Sequence, residues 1–184
     1  MNRQPRLLPD QLDEEQSALY RSITGGPRAD GPQAFDLTDA EGALRGPFGG
    51  FLLAPRVGDA LQRLGAAVRY RTGLTDRMRE LAILAVAASR ECDFERQAHE
   101  AVGRTCGLTE AEMSAVRERR EPVLTDPVEA AGYRLTAALL TGDVDDETWA
   151  GCVPPFAERH VLELVTLVGY YSTLALQMRV FRVE

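Results

Sequence analysis

Residues 75–112 read TDRMRELAILAVAASRECDFERQAHEAVGRTCGLTEAE. Met78, Leu81, Ala82, Ile83, Leu84 and Val86 form an apolar run too short to cross a bilayer and suited to a buried helix. Thr75 is placed to cap it, with Asp76 favourable in the first turn. The pattern fails at Ser89-Arg90-Glu91-Cys92; Asp93 can cap a second helix from Phe94 to about Cys106, which Gly107 ends. The stretch therefore predicts a helix hairpin with a tight connection.

Chemistry-bearing residues sit in register on that hairpin. Cys92, Glu95 and His99 are separated by three and then four residues, so on a helix their side chains share a face, with Cys92 just before the cap. Glu80 lies ~11 residues before the turn and His99 ~8 after it, an axial mismatch of only about 4–5 Å. Packed helices lie roughly 8–10 Å apart, a gap that a Glu and a His on facing positions can bridge. A carboxylate inside an apolar helix needs a partner or a shifted pKa. Arg77 and Arg104 compete with His99 for that role at Glu80, and Glu95 can pair with His99 or Arg96. A cysteine at a helix N-terminus near an imidazolium can react as thiolate, whereas the flanking Glu91 and Asp93 raise a thiol pKa.

Glu80, Cys92 twelve residues later, His99 seven beyond, and then Gly107-Leu108-Thr109 resemble the carboxymuconolactone decarboxylase and AhpD-like superfamily. The likeness covers roughly Arg69 to Val116, with a weaker echo near the C-terminus. AhpD-like alkylhydroperoxidases carry a Cys-x-x-Cys here with an intervening His; this chain keeps Glu80, Cys92 and His99 but has Phe94 for that His and Glu95 for the resolving Cys. The resemblance implies an all-α, AhpD-like helical bundle of about eight helices built around the hairpin, and a homo-oligomer.

Composition narrows the chemistry. At 184 residues, with 45% hydrophobic and 27% charged, the chain suits one domain, 1–184, with a core over about 55–181 and an arm, helix and loop over 1–46. The basic residues are all arginine, which excludes Schiff-base chemistry on lysine and a P-loop lysine. A net charge of −7 argues against nucleic acid or an anionic membrane as partner. Three cysteines without a charged-then-apolar leader lead to the expectation of a cytoplasmic protein with reduced thiols, and no run of about 18 apolar residues marks a membrane span. Glu80, Glu95 and His99 can form a two-carboxylate, one-histidine set, but His99 and His160 are the only histidines, so a three-histidine zinc site is impossible. No metal or organic cofactor is expected.

Along the chain, 1–9 reads as an extended arm and Asp13-Glu14-Glu15-Gln16 as a capping box for a helix ended by Gly25-Gly26-Pro27. Residues 28–46 are rich in Asp, Gly and Pro, a surface loop long enough to be a lid or a subunit-clasping arm. Gly46-Pro47-Phe48-Gly49-Gly50-Phe51-Leu52-Leu53 suggests a short helix packed close to another backbone. Pro55 to Arg71 reads as an amphipathic helix with Val57, Leu61, Leu64 and Val68 as its core stripe. Thr109 opens a short helix with a capping box, with Arg117 to Glu121 expected as a solvated face. Asp126-Pro127 opens another that Gly142 closes, Asp145-Asp146 caps a brief helix with Trp149, and Pro154-Pro155 starts a long one. In the last, Glu163-Leu-Val-Thr-Leu167 echoes Glu80-Leu-Ala-Ile-Leu84, and its apolar breadth suggests a subunit interface. His160 reads as an ordinary helix residue, and Cys106 and Cys152 as small buried hydrophobes.

Three functions remain open. In the first, an acid–base enzyme similar to lactone decarboxylases acts on a small unsaturated lactone or carboxylic acid. His99 donates the proton, Glu80 tunes it, Glu95 assists, and Arg79 holds the substrate carboxylate, with Phe51, Tyr170 and Tyr171 lining the pocket. In the second, an AhpD-like thiol peroxidase oxidises Cys92 to a sulfenic acid that an external thiol resolves. In the third, the domain is a non-catalytic oligomeric binding module.

Overall fold

A computed structural model describes residues 2–26 and 36–183. After a 3-10 turn at Pro9–Gln11 come nine α-helices among the described residues: α1 Glu14–Thr24, α2 Pro47–Phe51, α3 Pro55–Tyr70, α4 Asp76–Arg90, α5 Asp93–Thr105, α6 Glu110–Arg117, α7 Pro127–Thr141, α8 Asp146–Cys152 and α9 Glu158–Phe181. The described residues contain no strand, only an isolated bridge between Thr38 and Leu44. The all-α expectation holds.

Local chemistry sets most boundaries. Asp13, Thr75, Thr109, Asp126 and Asp145 each accept a hydrogen bond from a backbone N–H of the turn they open. Gln16 and Glu112 complete capping boxes at α1 and α6. Gly107 and Gly142 adopt the left-handed conformation just past α5 and α7, where a Cβ would be strained. Two starts differ from expectation. Cys92, not Asp93, occupies the N-cap of α5. The last helix begins at Glu158 because Pro154 and Pro155 lie in a turn, where their missing N–H groups and fixed φ do no harm.

Helix α4 is the hub. It is buried from Leu81 to Ala87 almost without interruption and packs against α5, α6, α7 and α9. The main core joins Ile83 and Val86 to Phe48, Phe51, Leu164, Leu167 and Leu174, while Leu81 and Leu84 pack with Leu108, Met113, Val116 and Tyr133 in a second cluster. The α4–α5 reversal takes two residues: Glu91 turns left-handed and the Cys92 N–H returns to the Ala87 carbonyl at 2.9 Å. Helix α9 is long and apolar enough, by length and composition alone, to span a bilayer. One face of it is nevertheless bundle core, with Leu164, Leu167, Tyr170, Tyr171, Leu174 and Met178 buried, while Leu162, Val165, Leu176 and Val180 are exposed.

The stripe expected on α3 is only partly right. Val57 and Leu64 are exposed, and the buried residues are Gly58, Gln62, Gly65 and Val68. A Cβ at Gly58 would collide with the Phe51 carbonyl, so α3 buries itself through backbone approach rather than through large side chains. The same economy explains 46–53: α2 lies where Cβ atoms on Gly49 and Gly50 would strike Gln4 and Gln177, and the Gln177 amide donates to the Pro47 carbonyl at 2.9 Å.

The arm at the N-terminus runs against the end of α9, with the Arg3 N–H donating to the Phe181 carbonyl at 2.7 Å. Of the loop expected at 28–46, residues 28–35 lie outside the described residues. The remainder is anchored more firmly than expected, because Ala43 and Leu44 are buried and the Tyr20 hydroxyl donates to the Gly42 carbonyl at 2.8 Å.

Candidate functional site

Glu80 and His99 face each other across the α4–α5 hairpin, with 2.6 Å between His99 Nδ1 and Glu80 Oε2. Both are buried, Glu80 completely. A carboxylate only accepts, so Nδ1 carries the hydrogen and Nε2 is left with its lone pair as the base. Burial pushes the Glu80 pKa up, but His99, Arg69 and Arg79 together outweigh it and hold the group below the ordinary carboxylate range. Burial pulls His99 down, and Arg69 and Arg79 add to that beyond what Glu80 restores. At neutral pH the pair is therefore a carboxylate and a neutral imidazole.

The dyad opens on a cavity of about 40 Å³ lined by Pro47, Phe48, Arg69, Phe94, Glu95, Ala98, His99, Tyr170, Tyr171, Leu174 and Met178. A water needs roughly 10–15 Å³ of such space, so the cavity suits a small, flat molecule. The Tyr171 ring stands edge-on to His99 with centroids 5.2 Å apart, and Tyr170 packs edge-on to Tyr171 at 5.3 Å. Burial raises the Tyr171 pKa, keeping its hydroxyl protonated.

Glu95 is 3% exposed, and neither of its carboxyl oxygens has a hydrogen-bond partner. Burial alone drives its pKa well above the ordinary value, towards the neutral acid. Arg96, a candidate partner, pairs with Asp93 and Glu100 instead. The site thus holds two carboxyl groups whose pKa values are pushed in opposite directions, Glu80 down and Glu95 up, with His99 four residues past Glu95 and hydrogen-bonded to Glu80.

Other expected members fall elsewhere. Cys92 is buried but does not line the cavity; it lies against the outer grooves beside Glu91, Asp93 and Arg179. Its N-cap backbone, at φ −104° and ψ 95°, is not helical, so the three-and-four spacing that aligns Glu95 with His99 does not extend back to it. Burial pushes its pKa up to about 11, outweighing the hydrogen bond from the Glu95 backbone N–H and the nearby Arg179, which pull it down, so it stays a thiol. Arg79 does not line the cavity either: its Nε sits 3.9 Å from Glu80 Oε1, and it pairs with Asp76. Phe51 stands edge-on against Phe48, centroids 5.6 Å apart, and it is Phe48 that reaches the cavity. Arg77 and Arg104, weighed as partners of Glu80, pair with Glu129 and Glu112 and with Glu110.

Arg69 is the residue that sequence reasoning missed. It projects from the last turn of α3 into the cavity, bonds through its side chain to Tyr171, and leaves its Nε without a partner. The signal that could have found it is its place one residue after Val68, the last apolar position of the buried face.

Residues 55–138 match the model of the carboxymuconolactone decarboxylase family. Among solved structures, the chain is similar to one described as "alkylhydroperoxidase AhpD core: uncharacterized peroxidase-related protein" from Ralstonia eutropha JMP134. The identity is 13% and the TM-score 0.76, over 100% of this chain and 91% of that one, a likeness of fold. No curated protein matches.

Proposed function

The chain is a member of the carboxymuconolactone decarboxylase and AhpD-like superfamily, and from that premise we propose that it is an acid–base enzyme acting on a small unsaturated lactone or carboxylic acid. The observation that carries this reading is geometric: His99 bonded to a buried carboxylate, the buried and unpartnered Glu95, and Arg69 converge on one cavity that no cysteine lines among the described residues.

In a decarboxylation at this site, the bond from the ring carbon to the substrate carboxylate breaks and carbon dioxide departs. The electron pair passes into the conjugated carbonyl as a dienolate. Net charge is −1 before and after, so the single Arg69 guanidinium balances both states. Glu95 then gives its proton to carbon, and His99, held in one tautomer by Glu80, takes up one proton from solvent and passes it back to Glu95. The sum is one carboxylate and one proton converted to carbon dioxide and the protonated product. This reverses the roles expected of His99 and Glu95, because burial raises the pKa of the carboxyl and lowers that of the imidazole.

A thiol-peroxidase reading through Cys92 draws on the fold likeness and on the spacing of Glu80, Cys92 and His99, but a thiol held up at about 11 and set off the cavity is a poor nucleophile. The test is carbon dioxide release from a panel of small unsaturated lactone acids by the wild type, His99→Ala and Cys92→Ser. The reading requires turnover that is lost in His99→Ala and kept in Cys92→Ser. Thiol-dependent peroxide consumption that vanishes in Cys92→Ser would replace it with the peroxidase.

A further inference from the structure

The cavity contains more unmet polar capacity than the dyad uses. Arg69 Nε and both oxygens of Glu95 lack partners, although an unpaired buried donor or acceptor is costly. Among the described residues no other cation lines the cavity; beyond His99 its remaining walls are Pro47, Phe48, Phe94, Ala98, Leu174, Met178 and the two tyrosines. The two further charges beside it, Glu80 and Arg79, stand 3.9 Å apart, balancing each other in charge without a hydrogen bond.

We propose, resting on the acid–base reading of this site, that its substrate binds as a small monoanion, one carboxylate on Arg69 and one neutral oxygen accepting a hydrogen bond from the Glu95 carboxyl. The planar guanidinium suits a carboxylate, and its free Nε–H is the donor left over for it. A second carboxylate on the ligand would meet apolar walls or the Glu95 acid, with no cation to balance it. Selection against dianions is thus built into the charge count of the cavity, and selection for a carbonyl oxygen into the proton on Glu95.

The titratable and charged groups around Glu95 are Cys92 and His99 on its own helix, Glu80 on α4, Arg69 on α3, and Tyr170 and Tyr171 on α9. Of these His99 is neutral, Cys92 and Tyr171 stay protonated, and Glu80 and Arg69 keep their charges through neutral pH. Glu95 is therefore the group whose ionisation opposes an incoming anion as pH rises.

Calorimetry with crotonate, crotonamide and fumarate tests this without any turnover, so a failed activity assay and a failed binding assay are separate results. Crotonate should bind, with crotonamide and the fumarate dianion weaker by on the order of tenfold or more. Arg69→Gln should abolish crotonate binding, with its circular dichroism and melting checked against the wild type. Arg69→Lys should retain part of it. The wild-type affinity for crotonate should fall as pH is raised through the Glu95 titration, and Glu95→Gln should bind crotonate with no such fall. The proposal is overturned if crotonate does not bind, if crotonamide or fumarate binds as well, or if folded Arg69→Gln binds unchanged. It is equally overturned if Glu95→Gln keeps the pH dependence.

Discussion

Glu100 and Glu129 are buried, as Glu80 and Glu95 are, yet the two pairs of carboxyls, Glu100 with Glu129 and Glu80 with Glu95, live under different rules. Glu129 receives Arg77 Nε on both oxygens at 2.9 and 3.1 Å, and Glu100 receives Arg117 at 2.6 Å with Arg96 and Arg104 nearby. These are buried charges compensated by permanent cations, and they tie α4 to α7 and α5 to α6. Glu80 instead leans on a titratable imidazole and keeps one oxygen unpartnered, while Glu95 has no partner at all. A buried acid that the fold has paired with arginine serves the fold. One left unpaired beside a cavity carries a cost that only an incoming ligand or a proton removes.

The comparison breaks most visibly in activity. His99→Ala should lower turnover by about 10²–10⁴-fold, the usual span for removing a general acid or base, well beyond what its loss of stability accounts for in a protein that still folds. An equal loss from Arg77→Ala in a still-folded protein would erase the distinction between the two kinds of carboxyl. Arg77→Ala acts on stability instead. It strands Glu129, Glu112 and the Gly107 carbonyl, and urea unfolding should show a loss of about 2–4 kcal/mol, below the fully buried range because the arginine side chain is 27% exposed. Glu95→Leu should move the other way, removing an unpaired buried carboxyl and raising stability by about 1–3 kcal/mol while abolishing turnover.

The pH dependence of stability separates the two site acids by sign. Glu95 has a folded pKa above its unfolded one, so the unfolded chain loses its proton first. Its contribution makes the protein less stable as pH climbs from about 4.3, the ordinary glutamate value, towards the raised folded value. Glu80 has a folded pKa below its unfolded one, so its stabilisation is present above about 4.3 and is lost as pH falls through the lowered value. Melting curves of Glu95→Gln against the wild type should therefore diverge with rising pH, and those of Glu80→Gln converge on the wild type only in acid. The smallest effect belongs to Cys92→Ser, which should change turnover by less than roughly twofold and cost about 1 kcal/mol of packing.

Much of this was legible in the sequence because it is governed by local rules. The caps at Thr75, Thr109, Asp126 and Asp145 follow from side chains that bond the next turn, and the approach of Glu80 to His99 follows from helical rise on either side of a short turn. What was not legible depends on non-helical backbone or on distant elements. Cys92 shares a spacing with Glu95 and His99 but not their backbone, so a periodicity argument carried one residue too far assigned it to their face. Arg69 joins the cavity from α3, whose buried face runs through Gly58, Gln62 and Gly65 rather than through a stripe of large apolar side chains that would announce it. The division between paired and unpaired glutamates needs Arg77 and Arg117 to arrive from other helices, which spacing within the hairpin does not encode.

The protonation of Glu95 at neutral pH is the claim on which both the acid role and the monoanion selection stand. Infrared difference spectroscopy between the wild type and Glu95→Gln at neutral pH measures it directly through the carbonyl stretch of a protonated carboxyl. A protonated-carboxyl band present in the wild type and absent in Glu95→Gln is the result this account predicts. A spectrum showing Glu95 as carboxylate at neutral pH would contradict it.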